Sequence, residues 1–213
     1  TTDTVIEQIG LFLKERGMEI APVEGAKLVS AFASSRLIIS GLSDTDELLS
    51  SVSEYFGTPY YCESLNNNAE GDLLYRMNDN GVRAPTALVN AIALAKENKE
   101  KIYTVVFKNV LAKDIFELLL PYLRYFSNPL RKCKVTVKAP QVSVVLPENL
   151  WIAVELAKGE SLTDVAQGVL KTATVLDVAY TKCEISEEKN VYKPLGYYQI
   201  DYCPENFHYE VCG

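Results

Sequence analysis

The sequence has one histidine and one tryptophan in 213 residues, and five cysteines with no C-x-x-C pair among them. The lone His208 has no predictable acidic partner, so a general-base role is unsupported. Cys62, Cys133, Cys183, Cys203 and Cys212 are odd in number and scattered, which fits reduced thiols better than a disulfide framework. Ser40 and Ser43 flank Gly41 and Leu42 without completing G-x-S-x-G, so no nucleophile elbow is present. No apolar run approaches the roughly 20 residues of a membrane span. Positive charge is also scarce: 21 Lys and Arg stand against 28 Asp and Glu, a net charge of −7. Non-specific attraction to nucleic acid needs a basic patch, and this balance argues against one. The opening TTDTVIEQIG lacks the basic and apolar regions of a signal peptide. The expected compartment is the reducing cytosol.

What is present is ordinary globular material, 48% hydrophobic and 23% charged. A chain of this length suits one domain, or one domain with an appendage, and can bury a core without staples. Amphipathic period predicts helices over Thr4–Arg16, Gly25–Ala33 and Leu48–Phe56, the last ended by Gly57-Thr58-Pro59. Further helices are expected over Thr86–Lys99, with Pro85 suited to its first turn, and over Asp114–Phe126 with Pro121 inside. Ser161–Gly168 reads as a weak helix with Ser161 as its cap. Apolar runs predict strands at Arg36–Ser40, Pro59–Glu63, Ile102–Phe107, Asn149–Leu156 and Thr174–Val178. Their nearly continuous apolarity marks a sheet covered on both faces. Cys133–Val145 alternates around Ala139-Pro140 and suggests a hairpin. Ser64–Gly81 reads as polar loop, and the residues from Thr181 onward as extended structure. Alternation of strand and helix predicts an α/β sandwich with a mainly parallel sheet.

The segment KLVSAFASSRLIISGLSDT (Lys27–Thr45) resembles the lead-in to the phosphate loop of bacterial AAA+ ATPases. The relatives in question are those near the GTPase subunit of modification-dependent restriction systems. IYTVVFKNVLAKDIFELLLPYLRYFSN (Ile102–Asn128) and LPENLWIAVELAKGESLTDVAQGVLKTATVLDV (Leu146–Val178) resemble later segments of that family, in the same order. The resemblance covers roughly residues 26–178. It implies a three-layer, P-loop-NTPase-like sandwich with a five-stranded, mainly parallel sheet in the order 5-1-4-3-2. A small hairpin and an extended C-terminal segment would be added to it. The expected division is an N-terminal helical segment (1–25), the degenerate AAA+-like domain (26–178) and a C-terminal segment (179–213).

The departures from the family pattern bear on function. A phosphate loop, G-x-x-x-x-G-K-[ST], surrounds phosphates with backbone N–H groups, neutralises them with lysine and holds magnesium with a hydroxyl. Started at Gly41, that frame puts Asp46 at the second glycine, Glu47 at the lysine and Leu48 at the hydroxyl. Where relatives carry an Asp-Glu pair for magnesium and water, Lys108 and Asn109 stand. Ala157 falls at the polar sensor, and Lys171 and Thr172 at an Asp-Arg pair. A unit charge about 4 Å from another contributes about 4 kcal/mol at an effective dielectric near 20, so glutamate in the place of lysine turns attraction into repulsion.

The expectation is therefore a catalytically inactive, AAA+-like interaction module with no cofactor, no catalytic residues and no bound metal. Its partner would be a protein, an intact AAA+ relative or the chain itself. The alternative is an enzyme or metal-binding protein whose chemistry has moved to the acidic Asp44–Glu47 loop or to the tail. Asp44, Asp46 and Glu47 could offer oxygen ligands to a cation, or simply form an acidic first turn that favours the helix. Cys183, Cys203, His208 and Cys212 could bind zinc, or lie in a strand pair with the cysteines packed as small apolar groups. Lys108 reads as an ordinary solvated strand end rather than a catalytic amine. The tyrosines Tyr192, Tyr197, Tyr198, Tyr202 and Tyr209 could form a binding surface or pack half-buried.

Overall fold

The computed structural model describes residues 2–34, 36–41, 44–65, 72–77, 80–127, 134–138 and 141–185. The chain runs α1 (Thr2–Glu15), β1 (Met18–Ile20), α2 (Pro22–Ser34), β2 (Leu37–Ser40), α3 (Thr45–Phe56) and β3 (Tyr60–Ser64). It continues through β4 (Tyr75–Met77), β5 (Arg83–Pro85), α4 (Ala87–Glu97), β6 (Tyr103–Val110) and α5 (Ile115–Ser127). The remainder is β7 (Lys134–Lys138), β8 (Gln141–Val145), β9 (Leu150–Leu156), α6 (Gln167–Leu170), β10 (Thr174–Leu176) and β11 (Tyr180–Lys182). Short 3-10 turns occur at Ala112–Asp114 and Leu162–Asp164.

Five strands form one sheet in the order β10-β2-β9-β6-β3. Every pairing within it is parallel. Numbered by the expected strands this is 5-1-4-3-2, and Leu37-Ile38-Ile39 lies in the interior as its unbroken apolarity requires. Side-chain alternation then divides the core. Ile38, Val106, Ala153 and Leu176 point to one face, where α1, α2 and α3 supply Ile9, Leu13, Leu28, Leu48, Leu49 and Val52. Leu37, Ile39, Val105, Phe107, Ile152 and Val154 point to the other, against α4, α5 and the Val165–Val169 segment. Three layers result, with helices on both sides of the sheet. Among the described residues, no helix is long and apolar enough to cross a membrane.

The local chemistry explains most element ends. The α3 helix stops at Gly57, which takes the left-handed conformation (φ 64°) that a residue with a Cβ enters only at a cost. Its N–H and that of Thr58 return to Glu54 and Ser53 carbonyls at 3.0 and 2.8 Å. Thr86 caps α4, its hydroxyl accepting from the Leu88 N–H at 3.3 Å. Pro85 therefore lies before the capping residue, in β5, and not in the first turn of the helix.

Other expectations are corrected too. The α2 helix starts at Pro22 rather than Gly25, and α3 at Thr45 rather than Leu48. The Ser161–Gly168 helix does not form. Ser161 caps only the 3-10 turn, and the chain is extended at Val165 (ψ 135°) and Ala166 (ψ 131°) before the four-residue α6. That extension lets Val165 and Val169 both reach the core, where they are 2% and 0% exposed.

The expected hairpin is β7 paired with β8. Two pairings lie outside the expectations. One is β4 with β5, within and beside the segment read as loop. The other is β1 with β11, which joins residues 18–20 to 180–182. Of the expected extended C-terminal segment, β11 is observed, and residues 186–213 lie outside the described residues. Cys133, Cys203, His208, Cys212 and the five tail tyrosines are outside them too, as are Leu42 and Ser43.

Candidate functional site

In open α/β sheets, ligands bind beyond the carboxyl ends of the strands, where neighbouring strands send their connections to opposite faces. Here that place is between β2 and β9. The chain leaves β2 for α3 on one face, and leaves β9 for the Leu162–Asp164 turn and α6 on the other. It is also the place where the resemblance puts a phosphate loop.

Alternation decides what lines it. Two residues beyond Ile38, Ala153 and Val106, which face α3, come Ser40, Glu155 and Lys108. Each therefore reaches the α3 side of the sheet just as the apolar stretch ends. Ser40 and Glu155 are partners in the β2–β9 ladder. The β6–β9 ladder has a bulge here: Phe107 pairs with Val154 and Val110 with Leu156, so Lys108 and Asn109 together oppose Glu155. Asn109 takes a left-handed φ of 63°, which asparagine tolerates better than most residues. Its side-chain amide donates to the Ser64 hydroxyl at 2.6 Å. The bulge lies where Lys108 faces the first turn of α3.

There Lys108 Nζ meets Asp46 Oδ2 at 2.9 Å, a pair in which each side chain is about one-third exposed, 35% and 29%. Glu155, only 4% exposed, accepts the Asp46 backbone N–H on Oε2 at 3.1 Å. A carboxylate thus sits on an N–H at the start of a helix, the kind of group that otherwise draws phosphate. Tyr60 donates its hydroxyl to the Asp46 carbonyl at 3.0 Å. The Cys62 sulfur lies 4.0 Å from Asp46 Oδ2. Ser40 and Thr45 share a buried hydroxyl–hydroxyl bond of 2.6 Å.

The outer part of the turn is engaged with the C-terminal strand pair. Glu47, exposed, pairs with Lys182 at 3.2 Å. Tyr180 donates to the Asp44 carbonyl at 3.3 Å. The Asp44 side chain makes no capping bond. A Cβ on Gly41 would meet the Leu162 side chain at 3.2 Å, so this end of the turn is already closely approached.

Burial dominates the acid–base behaviour. It pushes the Glu155 carboxyl up to about 7, with the Asp46 and Asp44 charges adding to the rise, and the Asp46 N–H and Lys108 opposing it. The Cys62 thiol is pushed up to about 11, first by burial and then by Asp46, so it is a packed, protonated thiol and not a nucleophile. Tyr60 is raised by the same burial. Lys108 is raised above its ordinary value by its hydrogen bond to Asp46 and stays charged.

The structure brings Asp46 and Lys108 together from separate sequence motifs. Lys108 is not the solvated strand end that the sequence suggested, because its ammonium pairs with the Asp46 carboxylate. Asp46 and Glu47 do form an acidic first turn of α3. Leu48 is fully buried against the sheet. Ala157 follows the last residue of β9 and donates its N–H to the Val110 carbonyl at 2.9 Å. Lys171 and Thr172 close the α6 turn onto the Gln167 and Val169 carbonyls, at 3.0 and 2.9 Å. Sequence reasoning missed Glu155, Cys62 and Tyr60. The signal for Glu155 was the single charge inside the apolar run NLWIAVEL, in phase with Ala153. Among the described residues, no group of three His, Cys, Asp or Glu is placed to hold a metal ion.

No protein-family model matches the chain, and no curated protein matches it either.

Proposed function

We propose that this chain is a P-loop-NTPase-like, AAA+-like domain whose nucleotide site is closed by its own side chains, and that it acts through protein association. The observation that carries this reading is the Glu155 carboxylate on the Asp46 N–H. The group that would receive a phosphate is satisfied from within, and Lys108 is already paired with Asp46. An entering triphosphate would have to displace a buried carboxylate and face Asp44, Asp46 and Glu47, and the two lysines seen on this turn, Lys108 and Lys182, are already paired. The pairing of Asp46 with Lys108 and of Glu47 with Lys182 also supports this over chemistry relocated to the acidic loop.

Isothermal calorimetry with ATP or GTP and magnesium should give no saturable heat at millimolar concentrations. Binding whose phosphates contact residues 41–48 would overturn the reading. The partner is a protein, either another copy or an intact AAA+ relative, since what persists once chemistry is lost is surface. Light scattering of the purified chain, together with affinity capture from native extract, should give either a self-complex or a stoichiometric complex with such a relative. Monomeric behaviour with neither complex recovered would contradict it.

A further inference from the structure

A second concave feature lies between α1 and the start of α2, away from the β2–β9 crevice. It is a cleft of about 700 Å³, lined by Ile6, Gly10, Leu11, Ile20 and Val23 among others. That volume falls within the range of about 300–1,000 Å³ in which small-molecule sites occur. Its shape follows from two glycines. Gly25 allows close approach of the helices, since a Cβ there would meet Ile6 at 3.1 Å and Ile20 at 3.5 Å. Gly10 opens the cleft, since a Cβ there would meet nothing within 4 Å. Leu11 and Val23 remain 40% and 61% exposed, so the apolar lining is open to a ligand.

The charges on the cleft decide what kind of ligand fits. Its charged lining residues are Glu7, Lys14 and Glu19. Lys14 is held by Glu19, Nζ to Oε1 at 3.1 Å. Lys14 stands about 10 Å from Glu7 along α1, at about 1.5 Å per residue, so that pair does not neutralise Glu7. The lining therefore carries one negative charge in excess, at Glu7. The positive end of α2, which begins beside the cleft at Pro22, is answered by Glu24 in its own first turn. An anionic ligand would meet two carboxylates and a lysine already engaged. A cationic one would meet Glu7, and the net charge of −7 favours its approach.

We propose that the α1–α2 cleft binds a small apolar molecule bearing one ammonium group. Its body lies over Gly10 between Leu11 and Val23, and its ammonium rests on the Glu7 carboxylate. Burial of the body supplies the affinity, and the ion pair at the rim supplies the orientation. This rests on the cleft alone and is independent of the nucleotide-site reading.

The test titrates the isotope-labelled full chain with naphthylethylammonium and with naphthylpropanoate, which share an apolar body and differ in charge. Amide signals are followed by nuclear magnetic resonance. The ammonium compound should shift Gly10, Leu11, Val23 and Gly25 saturably, and should bind about tenfold more tightly than the carboxylate. Glu7→Gln, an exposed substitution that keeps the fold, should bring the two compounds to within about twofold of each other. Gly10→Phe fills the cleft and should abolish the shifts, with an unchanged far-UV circular dichroism spectrum showing that the chain is folded. The absence of saturable shifts at millimolar compound, or shifts centred elsewhere, would overturn the proposal. So would equal affinity for the two compounds in the parent chain, or a preference for the ammonium that survives Glu7→Gln. Binding that a folded Gly10→Phe variant retains would overturn it too.

Discussion

Glu155→Gln is expected to stabilise the protein at about pH 8 by about 3 kcal/mol, and to change its stability little near about pH 4.5. The carboxyl is raised from the ordinary 4.5 to about 7, chiefly because burial disfavours its charge. A carboxyl raised by folding binds its proton more tightly in the native state than in the unfolded chain. Its contribution to stability is therefore fully present below about pH 4.5 and is lost as pH rises through about 7. Glutamine keeps an oxygen for the Asp46 N–H and cannot ionise, so it removes that loss without removing the bond. The groups facing Glu155 all bear on the result: Asp46 and Asp44 raise it further, and Lys108 opposes them. Carboxylates that do not face Glu155 impose their own pH dependence, but they cancel in the difference between the two proteins. Urea unfolding of both across about pH 4.5 to 8.5 measures that difference. A gap that stays constant across the range would show that Glu155 does not titrate as the geometry requires.

This expectation could not have been written from the sequence. The strands of the main sheet were legible because burial on both faces leaves an unmistakable composition, as in Leu37-Ile38-Ile39 and Tyr103–Phe107. Their order followed from a resemblance carried by three segments, and the hairpin of β7 and β8 from simple alternation. The site was legible only in part. Asp46 and Lys108 each drew notice as misfits in a phosphate-binding frame, but nothing local says that one neutralises the other. Their meeting sits at a bulge, where two residues of β6, Lys108 and Asn109, oppose one of β9. Such a register is a property of the pairing and not of either strand.

Glu155 shows the same limit from another direction. A charge in an apolar strand signals something, yet its meaning lies in the N–H at which it points, which belongs to α3. The three-residue strands β1 and β11 are equally silent in sequence. Each is too short to show a period, and they acquire structure from a partner more than 150 positions away, Met18 against Lys182. Helix ends fell between these cases. Gly57 announced its stop through its conformational freedom, whereas the start of α3 at Thr45 was obscured because acidic residues suit both a loop and a first turn.

Lys108→Met should destabilise the protein by about 1–2 kcal/mol at about pH 8, between the small value of exposed ion pairs and the larger one of buried pairs. Methionine keeps most of the apolar stem, so the change isolates the charge. Without the ammonium, the Asp46 carboxylate is left beside Glu155, and of the groups opposing charge on Glu155 only the Asp46 N–H remains. Holding a proton on Glu155 relieves that repulsion in the native state. The Glu155 carboxyl should then titrate still higher than about 7, and the loss should shrink on acidification towards about pH 5. The same logic fixes the double variant. Combined with Glu155→Gln, Lys108→Met leaves a single half-buried carboxylate with no like charge from Glu155, so it should cost clearly less than it does alone. A difference of more than about 0.5 kcal/mol between the two backgrounds would establish the coupling. An equal loss in both backgrounds and at both pH values would mean that Lys108 serves Asp46 alone, and that Glu155 is not part of one electrostatic unit closing the turn.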